Sequence, residues 1–170
     1  MTLINEFTAQ EQGYIDNVVQ LSLKHVKNGG SPFAALVVDR TGSLVAEGVN
    51  LVNAQYDPTA HAEIQAIRAA CSKLKTADLS GMTLYASGEP CAMCYMAAQW
   101  AGITRVYFAS DRHEAALEGF DYRWSYDSSV TGRPNMPMKA KKLSTSHANI
   151  PFKQWNVLSE SACELSHCLE

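Results

Sequence analysis

At 170 residues and a formal net charge of −3, the chain is long enough to bury a substantial core as one domain, residues 1–170. Its make-up, 46% hydrophobic and 18% charged, is that of a globular protein, and no apolar run approaches the roughly 18 residues that would span a bilayer. The acidic balance speaks against nucleic acid as a partner, since proteins that grip a polyanion usually carry a basic face.

The segment Met1 to Phe7 has no basic stretch leading into an apolar one, so no secretory signal is expected and a cytoplasmic address follows. Thr8-Ala9-Gln10-Glu11 has the spacing of a capping box, and Ile15, Val18, Ser22 and Val26 then recur near helical spacing until Asn28-Gly29-Gly30 stops the helix. Phe33 to Val38 reads as a buried strand, Asp39 to Gly42 as a hairpin turn and Leu44 to Val49 as the partner strand. Ala60 to Cys71 is a helix, Thr83 to Ser87 a short strand, and Cys91 to Ala101 a second helix with Met96, Ala97, Trp100 and Ala101 expected on its inner side. Thr104 to Ala109 is a further strand and Asp111 to Glu118 a helix stopped by Gly119. Residues 121–150 are rich in turn formers and give no clear element, and a terminal helix is expected over Glu160 to Cys168. This alternation implies an α/β layer with helices on both faces of one sheet. Lys139, Lys141 and Lys142 form the one basic cluster, either a solvated loop or helix face or a phosphate-binding patch.

Chemistry concentrates in His61-Ala62-Glu63 and Pro90-Cys91-Ala92-Met93-Cys94. One imidazole and two thiols suit a tetrahedral Zn²⁺, one per chain, and three protein ligands leave a fourth position for water, as in catalytic zinc sites. Cys91 and Cys94, three apart, can hold one ion from a helix. His61 and Glu63, two apart, would diverge on a regular helix, so they must straddle a helix start, and Asp57-Pro58-Thr59 just upstream fits one. Zinc can bring the pKa of a bound water from about 16 towards 7, and Glu63 can take that proton and return it to a substrate. Competing readings are a closed zinc knuckle, in which Glu63 has no role, and a core histidine with packing cysteines. Cys71 as a fourth ligand would close the site; otherwise Cys71, Cys163 and Cys168 are unpaired thiols. H-x-E followed by P-C-x-x-C is also the signature of zinc deaminases acting on nucleobases.

On these motifs, with Gly30-Ser31-Pro32-Phe33-Ala34-Ala35, Glu47-Gly48-Val49-Asn50, Glu89 and Glu118-Gly119-Phe120-Asp121, the chain resembles the cytidine deaminase superfamily. Within it the chain is most similar to the bacterial guanine deaminases. The stretch Asp57 to Ile64 also looks like the tRNA adenosine deaminases. The resemblance implies a three-layer α/β/α fold around a central mixed five-stranded sheet, His61, Cys91 and Cys94 as zinc ligands and Glu63 as proton shuttle. It implies substrate contacts from Asn50, Phe33, Ala62, Trp100 and Asp121, with Tyr122 beside them; taken alone, Asn50 reads equally as a turn-capping amide, and Phe33 and Trp100 as core residues. The family pattern carries a second acid directly after Gly-Phe-Asp, where this chain has Tyr122. A phenol stays protonated near neutral pH and is no resident base. Members are typically homodimers, some with exchanged C-terminal segments, so residues from about 121 to 170 are expected to form a lid or a swapped element.

The expected activity is zinc-dependent hydrolytic removal of an exocyclic amino group from a small nitrogen heterocycle, guanine first. A nucleoside, pterin or aminotriazine substrate is the near alternative, with tRNA adenosine and a non-enzymatic zinc-stabilised binding module further off.

Overall fold

The computed structural model describes residues 8–127 and 138–167. Helix α1 (Ala9–Lys27) starts as its capping box requires: the Glu11 amide donates to Thr8 Oγ1 at 3.1 Å, and the Thr8 amide donates to Glu11 Oε2 at 2.9 Å. It buries Ile15, Val18, Val19, Ser22 and Val26. Strands β1 (Ala34–Val38) and β2 (Leu44–Val49) pair antiparallel, with Ala34 opposite Val49. Their turn is closed by the Asp39 carboxylate, which accepts from the Thr41 and Ser43 amides at 2.8 and 2.9 Å.

Strand β3 (Thr83–Gly88) lies antiparallel to β1, while β4 (Arg105–Ser110) and β5 (Lys139–Lys142) continue the sheet in parallel, giving the order β2-β1-β3-β4-β5. The mixed five-stranded sheet is the expected one. Strands β1 and β3 are buried at every position, because helices cover both of their faces. On one face Ala34, Leu36 and Val38 pack with Ile15, Val18 and Val19 of α1, which also meets α7 (Ile150–His167). On the other, Ala35, Val37, Leu84 and Val106 pack with α3 (Ala62–Leu74) and α4 (Ala92–Trp100). Helix α3 sits very close to β2 at Gly48, where a Cβ would come within 2.4 Å of the Ala62 carbonyl oxygen and the Ala66 nitrogen.

Several elements differ from the sequence reading. The inner side of α4 is Cys94, Tyr95 and Ala98, followed by Ala101, while Trp100 is 82% exposed. The reason is phase: at about 100° per residue, a helix that turns Cys94 inward carries position 100 outward. The basic cluster is neither a loop nor a helix face but the edge strand β5, where lysines oppose further strand pairing. The terminal helix begins ten residues earlier than expected, with Pro151 in its first turn and Phe152 fully buried. Cys168 lies outside the described residues. Short helices α2 (Val52–Gln55), α5 (Arg112–Leu117) and α6 (Trp124–Asp127) complete the fold; α2 and α6 carried no sequence signal.

Candidate metal centre and active-site cavity

Two helix starts build the centre. His61 is the N-cap of α3, in extended conformation (φ −66, ψ 156), and Cys91 is the N-cap of α4 (φ −68, ψ 172). Neither side chain makes a capping hydrogen bond, so both are turned to the space between the helices. The helix start expected between His61 and Glu63 is therefore real, and it lets an imidazole and a carboxyl two residues apart reach one place.

His61 Nδ1 lies 3.6 Å from each of the Cys91 and Cys94 sulfurs, which are themselves 3.6 Å apart. A tetrahedral zinc, with bonds of about 2.3 Å to sulfur and about 2.0 Å to nitrogen, needs separations of about 3.8 Å between sulfurs and about 3.5 Å from sulfur to nitrogen. The donor triangle fits. Cys71 is not part of the group, which among the described residues has three ligands and leaves a fourth position. Of the two sulfurs, Cys91 is the one favoured as thiolate: the Cys94 thiol donates to it and lowers its pKa to about 4 against burial, with the His61 ring acting in the same direction. Cys94 moves up correspondingly, and the Cys91 sulfur raises His61.

Glu63, in the first turn of α3 and 4% exposed, places Oε2 3.4 Å from the Cys94 sulfur. Burial pushes its carboxyl up to about 7, the neighbouring Cys91 charge adds to this, and His61 opposes it. A carboxyl so placed can exchange a proton at neutral pH beside a metal.

These groups open on a cavity of about 220 Å³. Of the residues expected to meet substrate, Phe33, Asn50, Asp121 and Tyr122 line it. Trp100 does not; it stands on the surface at the far end of α4. Ala62 does not line it either, being fully buried against the sheet. Glu89 and Phe120 do, and their sequence signal was only membership of larger motifs, Glu89-Pro90-Cys91 and Gly119-Phe120-Asp121.

Asn50 is fixed on three sides. Its amide donates to the Phe33 carbonyl at 3.1 Å, its carbonyl meets His25 Nε2 at 2.8 Å, and its Oδ1 accepts from the Val52 amide at 3.2 Å. The side-chain NH₂ is the group left for the cavity. His25 reaches Asn50 by crossing Gly30, where any Cβ would meet the ring at 2.0 Å. Phe33 stands edge-on to Phe120 and to Phe152 at 5.3 Å each, so that Phe33 and Phe120 give the cavity an aromatic lining backed by Phe152. Asp121 is gripped by Arg123 through two bonds of 2.8 and 2.6 Å, which hold its carboxyl down at about 2. The Tyr122 hydroxyl donates to the Glu89 carbonyl at 2.7 Å, and burial lifts its pKa far above the ordinary tyrosine range. Tyr122 is thus a fixed donor and not a base.

Helices on both faces of a mixed sheet, with an open His-Cys-Cys zinc site beside a buried carboxyl, define a metal-dependent hydrolytic deaminase acting on a small heterocycle. Residues 8–110 match the cytidine and deoxycytidylate deaminase zinc-binding region. The chain belongs to that family. It is 36% identical over 143 residues to a guanine deaminase of Bacillus subtilis, covering 84% of this chain and 91% of that one. A crystal structure of a Bacillus subtilis guanine deaminase superposes with a TM-score of 0.65 at 34% identity, covering 85% of this chain and 92% of the other. A protein solved in complex with 2,6-diaminopurine gives a TM-score of 0.75 at 29% identity, with 89% and 83% coverage. A tRNA-specific adenosine deaminase of Haemophilus influenzae is 33% identical over 133 residues, 75% of this chain and 77% of that one.

Proposed function

We propose that the enzyme hydrolyses the exocyclic amine of a free purine base, guanine first: ring C–NH₂ and water become ring C=O and ammonia. The observation that carries this reading is the buried Glu63 carboxyl 3.4 Å from a ligand sulfur, at the floor of an aromatic-walled cavity. His61, Cys91 and Cys94 would hold the zinc, which when bound would supply an activated water at neutral pH. Glu63 accepts one proton of that water and places it on the ring nitrogen beside the amine-bearing carbon, then carries the second, from the hydroxyl added to that carbon, to the departing nitrogen as the carbonyl forms. Asn50 donates its NH₂ to a carbonyl or ring nitrogen of the base, Phe33 and Phe120 hold the ring's faces and edges, and the Asp121 carboxylate accepts from a ring N–H. The similarity to guanine deaminases and the relative holding 2,6-diaminopurine support a purine.

Tyr122 favours one second reading. With its phenol tied to the Glu89 carbonyl, the acid expected after Gly-Phe-Asp is missing, and a nucleoside, pterin or aminotriazine bearing fewer ring N–H groups fits the same chemistry. Transfer RNA is disfavoured by the net charge of −3, and within the basic strand Lys142 is already engaged by Asp111 at 3.1 Å and by Glu114. The exposed Trp100, Leu117 (87%) and Trp124 (67%) support a homodimer, and the absence of a membrane-spanning helix among the described residues accords with work in the cytoplasm.

The deciding measurement is ammonia release from purines, nucleosides, pterins, pyrimidines and aminotriazines. Guanine is expected to give the highest kcat/KM. Turnover of another class with silence on guanine transfers the assignment to that class, and silence throughout removes it.

A further inference from the structure

The turn that carries Cys91 is held from outside its own helix. The ladder of α4 begins where the Tyr95 amide donates to the Cys91 carbonyl at 3.0 Å, so the carbonyls of Glu89 and Pro90 lie ahead of it. Each accepts a tyrosine hydroxyl from the segment around α6: Tyr122 donates to Glu89 at 2.7 Å, and Tyr126 donates to Pro90. Cys91 sits at the N-cap but caps nothing, and the Ala92 amide donates instead to Ser125 Oγ at 3.4 Å. Arg112 backs the arrangement. Its amide donates to the Glu89 carboxylate at 3.0 Å while its guanidinium lies 4.2 Å over the Tyr126 ring. The Tyr122 ring, in turn, packs on Ile64, Cys91 and Cys94 and stands edge-on to Phe33 at 6.1 Å.

We propose that Tyr122, Ser125 and Tyr126 are positioning residues that clasp the Glu89–Ala92 turn and so fix the Cys91 sulfur at the separations from His61 and Cys94 that a tetrahedral ion requires. A cysteine at an N-cap gives up the capping bond to keep its sulfur for the metal, which leaves the turn short of local anchors. The clasp supplies them from another part of the chain. It also gives the Tyr122 phenol a task unrelated to proton transfer. The inference rests on the zinc assignment and is independent of which ring is deaminated.

The test follows zinc release from the purified holoenzyme to a chromogenic chelator. Tyr122→Phe and Tyr126→Phe keep the rings and remove the two hydroxyls. Each is expected to release zinc about ten-fold faster, the usual scale for residues that support metal ligands. Tyr14→Phe is the control, since it removes a tyrosine-to-carbonyl bond to Gly42 on the opposite face of the sheet; it is expected to leave release unchanged at a similar loss of Tm. In the cobalt-substituted protein, the visible bands of the tetrahedral site should shift in the two clasp variants and not in the control. Wild-type release rates and spectra in both variants, or changes matched by Tyr14→Phe, overturn the proposal. Should Tyr122→Phe fail to fold, Tyr126→Phe decides alone by the same criteria. No substrate enters the assay, so a protein silent on guanine yet loose in zinc when the hydroxyls are removed sinks the substrate and keeps the clasp.

Discussion

Glu63 sits where a carboxyl is costly to charge, and its replacement by the isosteric amide removes proton exchange while keeping shape. Glu63→Gln is expected to lower kcat by about 10²–10⁴-fold, the range for positioned acid–base groups, with zinc content unchanged; a fully active variant contradicts the role. Burial raises this carboxyl to about 7, and a bound cation pulls it back down. Because Glu63 accepts a proton only as carboxylate, kcat/KM should rise with pH and level off by neutrality. A rate still climbing well above neutrality points to another base. Asn50→Ala, which removes a side-chain amide from the cavity lining, is expected to raise KM more than it lowers kcat. The metal donors and Glu63 were legible in the sequence because ligand chemistry restricts residue type and spacing. Glu89 and Phe120 were not, since only the folded chain brings them to the cavity, and Trp100 was misplaced because the phase of α4 is set by Cys94 facing the metal.

At the scale of elements, the approach of α3 to β2 over Gly48 carries His61 and Glu63 to their places. Gly48→Ala puts a methyl group into the backbone of α3, with Cβ distances of 2.4 Å, and is expected to cost about 1–3 kcal/mol by overpacking, read from denaturant unfolding, and to loosen zinc as well. Helix α5 has its own capping box, in which Asp111 Oδ1 accepts from the His113 and Glu114 amides at 2.9 and 3.0 Å. Burial works against the Asp111 charge, but the Glu114 amide and Lys142 prevail and its pKa is lowered. A carboxyl lowered on folding stabilises above its unfolded pKa and loses that contribution as pH falls through the folded value. Asp111→Ala should therefore cost about 1 kcal/mol at neutral pH, a gap that narrows in acid. Helices and strands with strong periodicity, α1 and β1 to β4, were readable from the sequence. Strand β5 was not: Lys-Ala-Lys-Lys has no strand-like composition, and it becomes a strand only because β4 offers an open edge. The start of α7 was missed for a related reason, as Phe152 is defined by the ring cluster it joins with Phe33 and Phe120.

For the molecule as a whole, the layers were predictable from element order, whereas the contacts that bring Phe120, Tyr122 and Tyr126 to the site were not. The segment after β4 supplies Phe120, Asp121 and Tyr122 to the cavity and the clasp to the metal turn, so the catalytic halves of the chain are stabilised by residues remote in sequence. Light scattering is expected to give a dimer. The two metal-bearing N-caps have a wider consequence. Because the His61 and Cys91 side chains make no capping hydrogen bond at the starts of α3 and α4, an ion held by both would join the two helix starts. Stripping it should unfasten both together, so that the opening turns of α3 and α4 exchange their amide hydrogens as a single unit while the β1–β3 pairing stays protected. A bound metal would then govern local order as well as chemistry.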